Sequence, residues 1–187
     1  MKRVTFNFAL LLMALGLAAC NRAPQVNQNE GSGQIILKPL AGPALPPSRL
    51  RQIVYVPVYS SIYWGFDQQM IELAATLSIR NVSVRDALVV HSVMYYDSQG
   101  QATRQYVPKP ATLAPMAAAD FVIQRRDTAG GPGASFLVDW SSAADVDEPV
   151  IEAVMIGQQG NAGISFTSVG RALPKASAEL ARPAGSK

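Results

Sequence analysis

Residues 70–80 read Met-Ile-Glu-Leu-Ala-Ala-Thr-Leu-Ser-Ile-Arg and carry the clearest repeat in the chain of 187 residues. Apolar side chains at positions 71, 73, 75, 77 and 79 alternate with mostly polar ones. In an extended strand, a period of two places alternate side chains on one face. The stretch therefore predicts a half-buried antiparallel strand with one face in an apolar core and the other in water.

Seven further stretches rich in β-branched or aromatic residues surround this strand, with turn signals between them and no convincing helical pattern. Pro57, in the first of them, lacks an amide donor and indicates an edge or bulged strand. Short strands at such intervals favour an all-β sandwich over βαβ units. We expect an immunoglobulin-like antiparallel β-sandwich of about eight strands. The seven stretches are residues 53–59, 87–96, 101–107, 120–124, 134–140, 150–156 and 164–169, and residues 60–69 are predicted as a loop.

The first 20 residues have the layout of a secretion signal. Lys2 and Arg3 precede a short apolar stretch that ends in Leu17-Ala18-Ala19-Cys20. The apolar stretch is shorter than the roughly 20 residues of a membrane-spanning helix, so an uncleaved anchor is the weaker interpretation. Leu-Ala-Ala-Cys resembles the bacterial lipobox, in which signal peptidase cuts before a cysteine that carries diacylglycerol. This resemblance implies lipidation of Cys20, and the alternative is an ordinary signal peptide with a chance cysteine.

These features predict four segments. They are a lipoprotein signal peptide (1–19), a lipidated N-terminus with a Pro/Gly-rich tether (20–52), the β-sandwich domain (53–171) and a flexible tail (172–187). Acyl chains on Cys20 would attach the protein to a membrane of the cell envelope, facing the periplasm. Asn21 follows the cysteine; in enteric-type bacteria an Asp there retains lipoproteins in the inner membrane, so we expect the outer membrane.

Composition gives no sign of a nucleic-acid partner. Without Lys2 and Arg3, the 16 basic residues become 14 against 13 acidic ones, which is a net charge of +1. Nucleic-acid binding would need a clustered basic face. Because Cys20 is the only cysteine and lipid would consume its thiol, no disulfide is expected and the core alone must stabilise the domain.

Residues that could carry chemistry are few. His91 is the only histidine, and alternation places it on one strand face with Val89, Val93 and Tyr95. A histidine in such surroundings is more often packed or at the surface than a catalytic base. The acidic residues of 145–148 lack the ligand spacing of a calcium loop, which favours a solvated loop. We therefore expect no catalytic residues, no metal site and no cofactor.

Aromatic residues in the predicted loop are the best candidates for contact with a partner or ligand. They are Tyr59, Tyr63, Trp64 and Phe66. Aromatic side chains beside a loop glycine can anchor a protein partner or stack on a sugar. The alternative is that they cap the sandwich core. Residues 130–133, Gly-Gly-Pro-Gly, predict a tight turn, with a backbone nest for an anion as the functional alternative.

Six stretches resemble an uncharacterised family of bacterial lipoproteins, one of the numbered domains of unknown function. The resemblance implies a single lipid-anchored domain and assigns no activity. Two positions depart from the family pattern: Ser61, near which a His or another polar residue is expected, and Ser135, where an Asn is expected. Any site that used those polar groups is in doubt here. The stretches are residues 55–60, 77–81, 95–100, 127–134, 152–157 and 163–168.

The expected function is that of a lipid-anchored, non-enzymatic envelope protein whose β-sandwich is an interaction or structural module. Its partners would be the membrane, through the acyl chains, and an envelope protein or a glycan. The alternative is a small-ligand or glycan-binding lipoprotein that uses the aromatic loop. A hydrolase of unfamiliar design would have to use His91.

The lipid anchor is testable by labelling. Cells that express the chain and take up labelled palmitate should label the parent, whereas Cys20→Ala should remove the label because the acylated sulfur is gone. Asn21→Ala is the matched control and should keep the label. Equal labelling of the parent and Cys20→Ala would contradict lipidation at this residue.

Overall fold

Antiparallel strands make up almost all of the regular structure. A computed structural model describes residues 37–40, 45–65 and 69–180. Within those ranges the chain forms twelve strands and one short helix. They are β1 (Lys38–Pro39), β2 (Leu50–Pro57), β3 (Ser61–Trp64), β4 (Gln69–Arg80), β5 (Leu88–Tyr96), β6 (Ala102–Gln105), β7 (Ala111–Leu113), β8 (Ala118–Ile123), β9 (Ser135–Ser142), β10 (Val150–Gln159), β11 (Ala162–Val169), β12 (Arg171–Ala172) and α1 (Pro174–Leu180).

The strands form two antiparallel sheets. The larger sheet has the order β1-β7-β5-β9-β2-β12, and β6 also pairs with β5. The smaller sheet has the order β11-β10-β4-β3, and β8 also pairs with β4. The predicted fold class, an all-β antiparallel sandwich, is confirmed. The described ranges hold twelve strands instead of about eight because several of them are only two to four residues long.

Strand β4 supplies the inner face of the smaller sheet, as its alternation predicts. Its five alternating apolar side chains are buried, and they are Ile71, Leu73, Ala75, Leu77 and Ile79. Leu77 lies in register with Phe121 of β8 on one side and Ala153 of β10 on the other, and all three are buried. The larger sheet closes the core from its own side with buried β2, β5 and β9 side chains, including Trp140.

Two short strands lie outside the stretches that the sequence predicts as strands. Strand β3 occupies part of the predicted loop 60–69 and pairs with the first residues of β4. Strand β7 follows Pro110 and contacts both β5 and β1. Each has too few residues to show an alternating pattern in the sequence, and only its pairing with neighbouring strands makes it a strand.

The ordered domain extends past the boundaries that the sequence predicts. Within the predicted tether, β1 pairs with β7. After residue 171, β12 pairs with β2, and α1 follows. Ser177 Oγ in α1 accepts a hydrogen bond from Ile53 N at 2.9 Å and donates one to Leu173 O at 2.8 Å. These contacts correct the predicted start of the flexible tail at residue 172. The predicted signal peptide, Cys20 and residues 181–187 lie outside the described residues.

In the part of the chain that the structure describes, no helix is long and apolar enough to cross a membrane.

Removing the Leu77 side chain should destabilise the domain strongly. Leu77→Ala leaves a cavity between three buried strands, and we expect the free energy of unfolding to fall by about 2–5 kcal/mol. Urea unfolding followed by circular dichroism measures this loss. Glu72→Ala on the exposed face of the same strand is the control, with an expected change below about 1 kcal/mol. Similar losses in both variants would contradict the assigned inner face.

Candidate functional site

Exposed apolar side chains meet at the hairpin that joins β3 to β4. The side chain of Tyr63 is 63% exposed and that of Trp64 is 43% exposed. Met70, which pairs directly with Tyr63 across the hairpin, is 46% exposed. We call Tyr63, Trp64 and Met70 the hairpin patch. Its position next to an edge of the smaller sheet makes it accessible to a partner.

The hairpin patch presents its side chains in two directions. Successive strand residues point to opposite faces, so Tyr63 and Trp64 diverge. Ile62 pairs with buried Ile71 and packs against the core, which puts Tyr63 and Met70 together on the outer face. Trp64 lies on the inner side, at the rim of the sandwich. The patch is therefore a ridge and not one flat aromatic platform.

The other two predicted aromatic contacts lie apart from this patch or outside the described residues. The ring of Tyr59 packs edge-on against Phe166 of β11, with 5.6 Å between the ring centroids. Tyr59 is partly buried against the core, as the core-capping alternative predicts. Phe66 lies outside the described residues. The structure thus separates the predicted set into two surface residues, Tyr63 and Trp64, and one that caps the core.

His91 occupies an irregular position in β5. The register between β5 and β9 shifts between Val90 and Ser92, which is a β-bulge at His91. The bulge sends Val93 and Tyr95 into the core and leaves His91 half-buried. The prediction that His91 shares a face with those two residues is therefore wrong, because strict alternation cannot anticipate an inserted residue.

The outer side of this bulge carries a polar cluster that sequence reasoning missed. His91 Nε2 lies 2.8 Å from Ser141 Oγ of β9. Beside them, Arg51 of β2 donates two hydrogen bonds to Asp139, from Nε to Oδ1 at 3.0 Å and from Nη2 to Oδ2 at 2.6 Å. The cluster thus links the neighbouring strands β2, β9 and β5. A charge-assisted bidentate pair of this kind is stronger than a neutral hydrogen bond.

The electrostatics of the polar cluster favour a neutral imidazole. Burial lowers the pKa of His91, and the Arg51 charge lowers it further, while the Asp139 charge raises it. The hydrogen bond from Arg51 to Asp139 raises the pKa of Arg51. Sensitivity to pH is therefore the chemistry that this arrangement supports most directly.

A serine beside a histidine also resembles a nucleophile and its base. In this structure, however, Ser141 is only 2% exposed, which denies a substrate access to its hydroxyl. Both carboxylate oxygens of Asp139 already accept hydrogen bonds from Arg51 instead of orienting the imidazole. The geometry therefore favours a hydrogen bond that stabilises the pairing of β5 with β9 over a catalytic pair.

The glycine-rich turn at residues 130–133 is held by serines. Ser98 Oγ accepts a hydrogen bond from Gly133 N at 2.8 Å and donates one to Gly130 O at 2.8 Å. Gly131 has a φ of 73°, the left-handed conformation that the predicted tight turn requires, and its carbonyl accepts from Ser60 N. With the Gly133 amide already bonded, the contacts favour the turn over an anion nest.

The acidic loop at residues 145–148 lies beside a cavity of about 400 Å³ that is also lined by Arg85 and Asp86. Glu148 accepts a hydrogen bond from Gln52. Among the described residues, no three His, Cys, Asp or Glu side chains are grouped so as to hold a metal ion.

The fold and these surfaces define the chain as a β-sandwich domain with an exposed edge hairpin. Residues 51–173 match the family model DUF3124, described as a protein of unknown function. The chain belongs to this family, which confirms the resemblance to an uncharacterised family. A search of solved structures found the crystal structure of Thermotoga maritima 1070, at 10% identity and a TM-score of 0.40 over 64% of this chain and 92% of that chain. A search of curated proteins gave no match.

The single histidine makes the polar cluster testable by titration. Because the pKa of His91 is lowered from 6.5, the unfolded chain binds more protons than the folded chain between the two pKa values. The contribution of His91 to the free energy of unfolding should therefore be fully present above pH 6.5. It should be lost as the pH drops from there through the pKa of His91 in the folded chain. Imidazole chemical shifts give the pKa, and urea midpoints at several pH values give the stability.

Two variants serve as controls for this titration. Asp139→Asn removes the attraction to the carboxylate but keeps Arg51, so the pKa of His91 should fall further. His91→Gln should remove the part of the fall in the free energy of unfolding below pH 6.5 that the imidazole causes. A pKa of His91 at or above 6.5 would contradict the described environment.

Proposed function

We propose that the protein is a lipid-anchored component of the cell envelope whose β-sandwich binds another envelope protein without catalysing a reaction. In this proposal, acyl chains on Cys20 hold the chain on the periplasmic side of the outer membrane. The residues that precede the sandwich are its tether. The hairpin patch is the contact surface for the partner.

The observation that supports this function best is the exposure of the hairpin patch. Tyr63, Trp64 and Met70 are large apolar side chains, and each leaves two fifths or more of its surface in contact with water. Tyr and Trp are, with Arg, the residue types enriched at the energetic centres of interfaces. Single exposed apolar residues are ordinary, but three that are neighbours on one edge hairpin indicate a place for a partner.

The direction of the side chains favours a protein partner over a glycan. Sugar rings stack on the face of an aromatic ring. Tyr63 and Trp64 are consecutive in β3, so their rings cannot lie side by side on one face. Tyr63 instead shares its face with Met70, a flexible side chain that adapts to irregular protein surfaces. Glycan binding remains the alternative that the experiment below distinguishes.

The geometry of the polar cluster is the reason that the proposal includes no catalytic activity. The most enzyme-like pair in the described segments, His91 with Ser141, has its hydroxyl buried. The neighbouring Asp139 is neutralised by a bidentate arginine. Both features suit a stabilising role better than turnover.

Capture from crosslinked envelopes tests the contact surface. The full-length parent and the double variant Tyr63→Ser/Trp64→Ser are each purified with their crosslinked partners. Loss of one interface hot spot costs about 2 kcal/mol, so recovery of the partner should fall about thirtyfold in the double variant. Val84→Ser is the matched control, because Val84 is exposed but lies in a different loop.

Sedimentation with purified cell-wall polysaccharide forms the second arm. If the partner is a protein, the parent does not sediment with the polysaccharide. If the partner is a glycan, the parent sediments and the double variant does not. Equal recovery of a protein partner by the parent and the double variant would contradict the proposed surface.

A further inference from the structure

A cavity of about 380 Å³ lies between an edge of the larger sheet and an edge of the smaller sheet, and two arginines line it. Arg104 belongs to β6, which pairs with β5 of the larger sheet. Arg126 follows β8 of the smaller sheet, and Val122 and Gln124 line the same cavity. Of the five lining residues, only Asp127 is acidic. The lining therefore carries two positive charges against one negative charge.

Two hydrogen bonds hold the guanidinium group of Arg104 in place. Its Nη1 donates to Tyr106 Oη at 3.0 Å, and its Nη2 donates to Asp127 Oδ2 at 2.7 Å. The Tyr106 hydroxyl in turn donates to Val122 O at 3.2 Å, and the Tyr106 ring packs edge-on against Phe121 of the core. The guanidinium group is thus fixed to the core before any ligand binds, which lowers the entropy cost of binding.

Both guanidinium groups keep hydrogen-bond donors for a ligand. A guanidinium group has five N–H donors, and the two bonds above use only two of those of Arg104. In the described ranges, ion pairs form at Arg51, Arg80 and Arg104, and Arg126 pairs with no carboxylate. Arg104 and Arg126 are both exposed, so an anion in the cavity can reach them.

We propose that this cavity binds a carboxylate group, with Arg104 as the oriented donor and Arg126 as the second one. Guanidinium groups bind planar carboxylates through two parallel N–H···O bonds. The excess of one positive charge in the lining matches the single negative charge of a carboxylate. A doubly charged phosphate group would add a negative charge that the lining does not balance, beside the carboxylate of Asp127.

The neighbouring Arg125 separates recognition in the cavity from general attraction to a basic surface. Arg125 is exposed like Arg126, but it does not line the cavity. Its Nη2 donates to Gln158 O of β10 at 3.3 Å. A basic surface would attract an anion through both arginines equally, whereas the proposed site needs only Arg126. Arg125→Gln is therefore the matched control for Arg126→Gln, because both remove one charge from adjacent positions.

NMR titration of the isotope-labelled full-length chain in an uncharged detergent tests the site. The probe is N-acetylalanine, which carries one carboxylate, and its neutral counterpart is N-acetylalaninamide. The acid should cause saturable shifts of the Arg104 and Arg126 side-chain N–H signals and of the Val122 methyl signals. The amide should cause none, because it has no charge for the guanidinium groups to bind.

Three variants give the contribution of each arginine. Arg126→Gln should raise the Kd about tenfold, which is the effect of losing one hydrogen bond to a charged group. Arg125→Gln should leave the Kd unchanged. Arg104→Lys keeps the charge but loses the planar fork, so it should also raise the Kd. Backbone amide spectra that match the parent away from the cavity show that each variant is folded.

Acetate distinguishes two sources of the carboxylate. If acetate binds as tightly as N-acetylalanine, the cavity recognises the carboxylate of any small ligand. If N-acetylalanine binds more tightly, the cavity recognises the end of a peptide chain. Either result supports a carboxylate site. The titration uses no partner protein, so its outcome does not depend on the hairpin patch.

Three results overturn the proposal. They are the absence of saturable shifts in the parent, equal weakening by Arg125→Gln and Arg126→Gln, and tighter binding of inorganic phosphate than of N-acetylalanine. The first result denies a site, the second reduces it to a basic surface, and the third contradicts the match to a single negative charge.

Discussion

The register of β4 is the constraint on which the rest of the structure depends. This strand pairs with β3, β8 and β10, so its alternation fixes the faces of three neighbours. A slip of the β4 pairing register by one residue would place Glu72 and Thr76 in the core and move Leu73 and Leu77 to the outer face. Because burial of each large apolar side chain contributes about 1.5–3 kcal/mol, such a slip is strongly disfavoured. The inner and outer faces of the smaller sheet therefore follow from a pattern of eleven residues that is visible in the sequence.

The long strands were predictable for the same reason, and the short ones were not. Alternation reports the face of a residue only while the strand stays regular. The bulge at His91 breaks it, and two residues that alternation grouped with His91 lie in the core instead. Strand β3, with only four residues, owes its existence to pairing with β4. Short edge strands are consequences of tertiary pairing, which local composition does not encode.

The candidate sites show the same limit at the level of single side chains. Tyr59 and Tyr63 are the same residue type, four positions apart, yet one packs against Phe166 and the other is largely in water. The sequence identified both as candidates but could not separate them. The polar cluster joins Arg51 to Asp139 across 88 positions and His91 to Ser141 across 50. These residues come together only because β5, β9 and β2 are neighbours in the larger sheet, so no local sequence motif predicts the cluster.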